Sequence, residues 1–453
     1  MVKVAVVIGF AAFVDLLVYG IIIPVLPDLI QNCSAITLSS TQLAKQSSYL
    51  FAAYAIGLFL ATPFAAIVSD FSQSRKLPMI AGLVCLILAL IMFVFSKTFW
   101  LLFVSRFAQG AAAAMTWVVG YAILAEEVPY AQLGLVTGVV FGCNLLGYVL
   151  GPWLGGITAY YFDIQTPFYV CIGFVTLALV LRIMFVTSNE AAHLAPTVPD
   201  SSSSESSCSQ NEDSSIEILT AAPESRKQQQ LSKKKQFVIN LKACLKMPAF
   251  WLTISGTSLG AGALSCIESF ASTVMQARYG MSLLTVSFSL LCALVPMALI
   301  NILVGKLADT TGHLNLMLFG VVASAVSMVF FGFAMESSLW LFLTSLVIAG
   351  LAAPFSLGAQ FPGFAQIAKR VSFETGSQPA FGLVYAFANS SFSIGMIIFP
   401  IFVAEIWNRA AHWIGFVTFA CICVLHVIGH IKYGRHWNNS QHYQEAATSV
   451  VRI

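Results

Sequence analysis

Long apolar stretches alternate with short polar ones along almost the whole chain. A helix that crosses the hydrocarbon core of a bilayer needs about 20 mostly apolar residues. Laid along the chain, that length places spans near 4–27, 48–68, 78–96, 99–124, 134–158 and 165–186. A polar segment follows over about 187–247, and further spans are expected near 249–275, 283–306, 314–334, 338–362, 380–404 and 411–432. The connections within each set are short, so neighbouring helices run antiparallel. The pattern predicts an all-α membrane protein with twelve transmembrane helices. Two six-helix bundles are expected at 1–186 and 248–435, with a linker over 187–247 between them and a tail over 436–453.

Composition agrees with this pattern. Of the 453 residues, 58% are hydrophobic and 9% charged, against about 25% charged in a soluble domain. Mean hydropathy is +0.85. The first apolar stretch lacks a cleavage site of the small-x-small kind and carries Asp15, so it is expected to be retained as a helix. Ten cysteines are scattered. Cys85, Cys143, Cys171, Cys266, Cys292, Cys421 and Cys423 fall in apolar stretches, and Cys33 is placed in a loop that faces an oxidising side, so no disulfide framework is expected. The sequence has no phosphate loop ending in Gly-Lys-Ser/Thr and no Cys/His cluster with zinc spacing. An enzyme, an ATP-driven pump, a metal site and a cofactor are therefore not expected, and a net charge of +3 gives no reason to expect nucleic acid.

The distribution of Lys and Arg sets the orientation. With the N-terminus inside, inner segments hold Lys3, Arg75, Lys76, Arg226, Lys227, Lys233, Lys234, Lys235, Lys242, Lys246, Lys306, Lys369, Arg370, Lys432 and Arg435, while outer loops hold Lys45, Lys97, Arg278 and Arg409. Both termini are thus expected in the cytosol. Asn32-Cys33-Ser34 is a glycosylation sequon in the first outer loop. Residues 197–235 combine a serine run, acids and a lysine run without the apolar residues needed for a core, and are expected to be a disordered cytosolic tether.

Several motifs carry a family resemblance. The first span reads Asp15-Leu16-Leu17-Val18-Tyr19-Gly20-Ile21-Ile22-Ile23-Pro24-Val25-Leu26-Pro27. The fourth contains Arg106-Phe107-Ala108-Gln109-Gly110, an RxxQG element. The fifth contains Gly147-Tyr148-Val149-Leu150-Gly151-Pro152-Trp153-Leu154-Gly155-Gly156, which fits GxxxGPxxGG at every fixed position. After the eighth span comes Gly305-Lys306-Leu307-Ala308-Asp309-Thr310-Thr311-Gly312-His313. The matching loop after the second span keeps Asp70, Arg75 and Lys76. Together these elements resemble the twelve-helix drug:proton antiporters of the major facilitator superfamily. Asp15, nine residues before Pro24, and the acid Glu268 in the seventh span resemble the branch that includes vesicular amine transporters. Asn389 stands where that branch has an aspartate in the eleventh span, and no acid accompanies Ala352 and Ala353 in the tenth. The Ser-rich loop resembles fungal multidrug exporters.

The resemblance implies two pseudo-symmetric bundles that rock about a central site and exchange protons for a small-molecule substrate. Independently of it, a charged side chain in mid-bilayer costs at least about 2.5–3.5 kcal/mol and is a functional candidate by default. Asp15 lies halfway along its span. Glu268 lies in the outer half of the first span of the second unit, so the two acids are expected to face one cavity across the repeat interface. Burial favours the neutral form of a carboxylic acid, which suits a group that gains and loses a proton, and a cationic substrate would compete for the same carboxylate. Arg106 cannot deprotonate and needs an acceptor; it either tunes Asp15 or clamps helices together. Tyr19, Gln109, Trp117, Tyr121, Phe270, Tyr385 and Asn389 are expected around the cavity. The glycine face from Gly147 to Gly156, bent at Pro152, is expected to let the fifth helix approach a helix of the second half. Asp70, Arg75, Lys76, Gly305, Asp309 and Gly312 are expected to form inner gates. Read together, these residues describe a monomeric, proton-coupled exporter of small amphipathic molecules in the plasma membrane or an internal acidic compartment. A passive uniporter would need no titrating acid, and a sensor on the same scaffold remains a separate class.

Overall fold

The computed structural model describes residues 2–34, 36–71, 76–127, 130–185, 236–376 and 381–450. The first half contains α1 (Val2–Asn32), α2 (Ser40–Phe71), α3 (Lys76–Val94), α4 (Phe99–Glu127), α5 (Tyr130–Tyr161) and α6 (Thr166–Phe185). The second contains α7 (Pro248–Ala277), α8 (Leu283–Thr311), α9 (His313–Ala334), α10 (Leu339–Leu357), α11 (Gln360–Thr375), α12 (Phe381–Arg409) and α13 (His412–Val450). Among the described residues twelve segments are long and apolar enough to cross a membrane. Exposed apolar side chains such as Leu60, Phe64, Trp100, Leu299, Trp340 and Leu425 cover the perimeter. Such a surface fits hydrocarbon and not water.

The two halves repeat one packing scheme. In the first, α1 lies along α5, α2 along α4, and α3 against α4 and α6. In the second, α7 lies along α12, α8 along α10, and α9 against α10 and α13. Helix starts repeat as well. The hydroxyls of Ser39 and Ser282 accept backbone N–H bonds before α2 and α8, and those of Thr98 and Ser338 do so before α4 and α10. Each side chain satisfies an amide that the first turn leaves unpaired. The halves meet where α2 packs on α12 and α5 on α8, two contacts that the same repeat interchanges. One apolar cluster runs through both halves, from Val14 in α1 to Cys423 in α13.

Three features depart from the sequence-based expectation. Residues 236–246, placed in the linker, are helical, and Asn240 and Cys244 bury one face of that segment. The tenth span, expected as one helix, ends at Leu357 and resumes as α11. Pro354 supplies no amide, its carbonyl accepts from Gly358, and Gln360 starts a new helix that runs to Thr375. The last helix runs on to Val450 through most of the expected tail.

Candidate functional site

Helix α1 presents two polar side chains one turn apart, Asp15 and Tyr19, which therefore share a face. Both are buried. Asp15 Oδ2 accepts a hydrogen bond from the Trp117 indole N–H of α4 at 3.1 Å. Tyr19 O–H donates to Glu268 Oε2 of α7 at 2.6 Å, and Tyr148 O–H of α5 donates to Glu268 Oε1. The acid of the second half is thus held by two phenols of the first. A bond in which the acceptor is ionised is about twice as strong as a neutral one, so this joint is firm while Glu268 carries its charge.

Arg106 lies beside the joint, with no solvent exposure. Its guanidinium carbon is 5.0 Å from the Phe51 ring centroid, 5.5 Å from that of Tyr19 and 6.0 Å from that of Tyr54. One Nη donates to Gln109 Oε1 at 3.0 Å, one helical turn along α4. Tyr19, one of the rings it faces, is the phenol that donates to Glu268 Oε2. Among the described residues Arg106 Nε, its second Nη and Gln109 Nε2 have no hydrogen-bond partner. Buried donors of this kind are costly unless something accepts from them. Arg106, Gln109 and Trp117 recur along α4 at helical spacing, so one face of that helix serves both acids. Beside Glu268 and Tyr148 lies a narrow cavity of about 20 Å³, lined by apolar side chains of α1, α7, α8 and α10. That is room for about one water molecule.

The glycines of α5 account for the closeness of the frame. A Cβ added at Gly151 would lie 2.8 Å from the Leu17 carbonyl and 2.9 Å from Gly20 Cα, and Gly147 and Gly155 would collide with the α1 backbone at Phe13 and Ile21. Gly20 in turn faces Pro152. The expected contact with the second half is therefore corrected for these positions: the face packs on α1, within its own half. Of the motif glycines, Gly156 is the one that faces α8, against Ser287. The small residues bring the α1 and α5 backbones together, and that closeness places Tyr19 and Tyr148 around one carboxylate.

Other predicted residues are spread more widely. Asn389 of α12 donates to Thr62 Oγ1 of α2 at 2.7 Å, a bond between the halves and away from the two acids. Tyr385 is half-buried, and its ring lies 6.5 Å from that of Phe361. Phe270, expected in the cavity, is fully buried between Trp407 and Phe416 inside the second bundle. Asn32 ends α1 and is exposed. Gly312 takes a positive φ of 81° between α8 and α9, where glycine avoids the strain of a side chain. Arg75 lies outside the described residues, as do the side chains of Asp70, Lys76, Tyr121 and Asp309 and the surroundings of Gly305.

Sequence reasoning missed Tyr54, Phe51 and the role of Tyr148, and passed over Arg182, which is buried in the last turn of α6. Tyr148 stands inside the GxxxGPxxGG element, next to the glycine that fixes its approach, and that adjacency was the available signal. At the far end of the bundle the halves are also tied. Ser272 donates to the Ile23 carbonyl at 2.9 Å, Gln276 to Asp28 at 3.2 Å, and Lys45 pairs with Glu405 at 2.7 Å.

Comparison with known proteins bears on the fold and the family. An uncharacterised MFS-type transporter of Schizosaccharomyces pombe is 32% identical over 183 residues, which is 40% of this chain and 40% of that protein. Multidrug resistance protein 1 of Bacillus subtilis is 27% identical over 178 residues, 39% of this chain and 43% of that protein. The matched stretches thus span less than half the length of either relative. A POT family transporter solved with a thioalcohol-conjugated peptide has the same fold, with a TM-score of 0.68 at 12% identity, covering 95% of this chain and 96% of that one. The family model of the Major Facilitator Superfamily matches residues 8–355 and 270–444. The chain belongs to the Major Facilitator Superfamily, a family of membrane transporters and not of enzymes.

Proposed function

We propose that this protein is a proton-coupled antiporter that exports small amphipathic organic molecules, cationic drugs or amines, by alternating access. The observation that carries the reading is Glu268 of the second half, buried and held by Tyr19 and Tyr148 of the first. While ionised, the carboxylate accepts from both phenols. A proton on it removes one acceptor position and adds a donor, so the phenols can no longer both donate to it as before. Protonation in this way loosens the joint between the halves. A cationic substrate competes for the same carboxylate, and the Phe51, Tyr19 and Tyr54 rings offer faces that suit a cation when Arg106 shifts away. Asp15, one turn along α1, supplies a second buried acid for the exchange. The spare donors of Arg106 and Gln109 would receive a hydroxyl or carbonyl oxygen on the substrate.

The name of the Bacillus subtilis relative supports substrates of broad chemistry. The lysine and arginine distribution supports a cytosolic position for both termini, in the plasma membrane or the membrane of an acidic compartment. One chain holds both halves of the site, so a monomer suffices. Asn32, exposed at the far end, is available for glycosylation if that end faces the secretory lumen.

The test is transport of cationic and neutral dyes in reconstituted vesicles under an imposed pH gradient. Wild type is expected to accumulate substrate against its gradient. Glu268→Gln and Asp15→Asn are expected to exchange substrate without accumulating it. Equilibration by wild type that ignores the gradient would replace antiport with facilitated transport.

A further inference from the structure

Away from the two acids, a second cavity of about 650 Å³ opens at the end of the bundle that carries the chain termini. It lies between the helical segment 236–246, the start of α7, the end of α11 and the stretch of α13 at Lys432 and Tyr433. Lys242, Lys246, Arg370 and Lys432 line it, together with the acid Glu374. Arg370 Nε is bonded to Glu374 at 3.0 Å, so that acid already has a cation. The charge left facing the cavity is that of the three lysines. Lys432 also stands 5.2 Å from the centroid of the Tyr433 ring.

The segment 236–246 has three faces, as the helical period requires. Asn240 and Cys244 pack into the protein. Ile239, Lys242, Ala243 and Lys246 line the cavity. Phe237, Val238 and Leu245 remain exposed, at 53%, 46% and 40%. Nearby, Trp251 is half-exposed and its indole donates to the Leu245 carbonyl at 2.9 Å, a posture typical of tryptophan at the membrane surface. Phe373 of α11 and Ile431 of α13 add further exposed apolar surface. The lysines therefore sit where apolar side chains meet water. An apolar edge beside a row of lysines is the mark of a helix lying in the membrane interface.

We propose that this cavity binds the phosphate headgroup of an anionic phospholipid. The lysines take the phosphate and any further acidic group, while the acyl chains lie along Phe237, Leu245 and Trp251. A free phosphate would use the same lysines but would gain nothing from the apolar edge, and that difference separates the two sources. Because α7 carries Glu268 and begins at the cavity, an occupied headgroup site would brace the base of the helix that closes the transport joint.

The experiment uses the full-length chain purified in a neutral detergent. Its thermal unfolding is followed with added short-chain phosphatidylserine, short-chain phosphatidylcholine or inorganic phosphate. Phosphatidylserine is expected to raise the unfolding temperature saturably, with phosphatidylcholine and phosphate ineffective at the same concentrations. Each basic residue near a charged membrane surface contributes about 1 kcal/mol, so a Lys242→Gln/Lys246→Gln/Lys432→Gln variant is expected to bind the lipid about 100-fold more weakly. If that variant folds poorly, Lys242→Glu alone replaces it, with Lys97→Gln at the opposite end as the unaffected control. A response to phosphate equal to that of the lipid, or lysine variants with wild-type binding, would overturn the proposal.

Discussion

The two buried acids differ in what holds them. Asp15 is bonded within its own half, by Trp117 of α4. Glu268 is bonded across the halves, by phenols of α1 and α5. A change of charge on Asp15 therefore acts first on one bundle. The same change on Glu268 acts on the contact between bundles, which is the contact that the proposed alternating access would open. Acids in the first helices of the two halves are thus held differently, one within a half and the other between the two.

The harshest break removes the frame that both acids share. Gly151→Val would drive a side chain into the α1 backbone at Leu17 and Gly20, where no flexible group can yield. Loss of folded, membrane-inserted protein is expected, checked by size-exclusion profile and thermal stability. A Gly142→Ala control, where an added Cβ meets nothing, should behave as wild type. Tyr148→Phe is more selective, since it removes one of the two bonds that hold Glu268 and leaves Asp15 untouched. Hydrogen bonds to charged groups are worth about 1.5–3 kcal/mol, so the variant should favour the open joint by that amount. Faster cysteine accessibility between α1 and α7 would register it. Trp117→Phe is the mildest. It takes one bond from Asp15 within the first half, and should lower stability while leaving the contact between the halves as in wild type. A larger effect of Trp117→Phe than of Tyr148→Phe on that contact would erase the distinction between the acids.

Much of this was legible in the chain itself. The apolar stretches mark the spans because no other segment of this length can satisfy its backbone in lipid. Asp15, Glu268 and Arg106 stand out because charge in such spans is rare. The partners of those charges were not legible. Periodicity places Asp15 and Tyr19 on one face of α1, but it carries no information on which helix meets that face. Arg106 was expected to tune Asp15 or to clamp helices together, and the rings it lies among, Tyr19 of α1 and Phe51 and Tyr54 of α2, could not be named from its own helix. The glycine motif was read as a surface of close approach, which it is, but Gly147, Gly151 and Gly155 approach α1, while Gly156 and Tyr148 meet the second half. Phe270 shows the same limit: two residues after Glu268 it lies on the other side of α7, and it points into its own bundle. The helix at 236–246 was overlooked because its apolar residues stand beside a long polar run that dominates any average over the segment.

The central claim is that the charge on Glu268 sets the contact between the halves. Its most direct test is a distance measured across that contact as pH is changed. Spin labels at exposed Ser40 of α2 and Asn408 of α12 report the separation of the halves at the far end, on a background without the native cysteines. The account predicts that acidification shifts the wild-type distances toward longer values. Glu268→Gln should show the longer distances at every pH, and Asp15→Asn should retain the pH response. A Glu268→Gln variant that still moves with pH as wild type does would contradict the account.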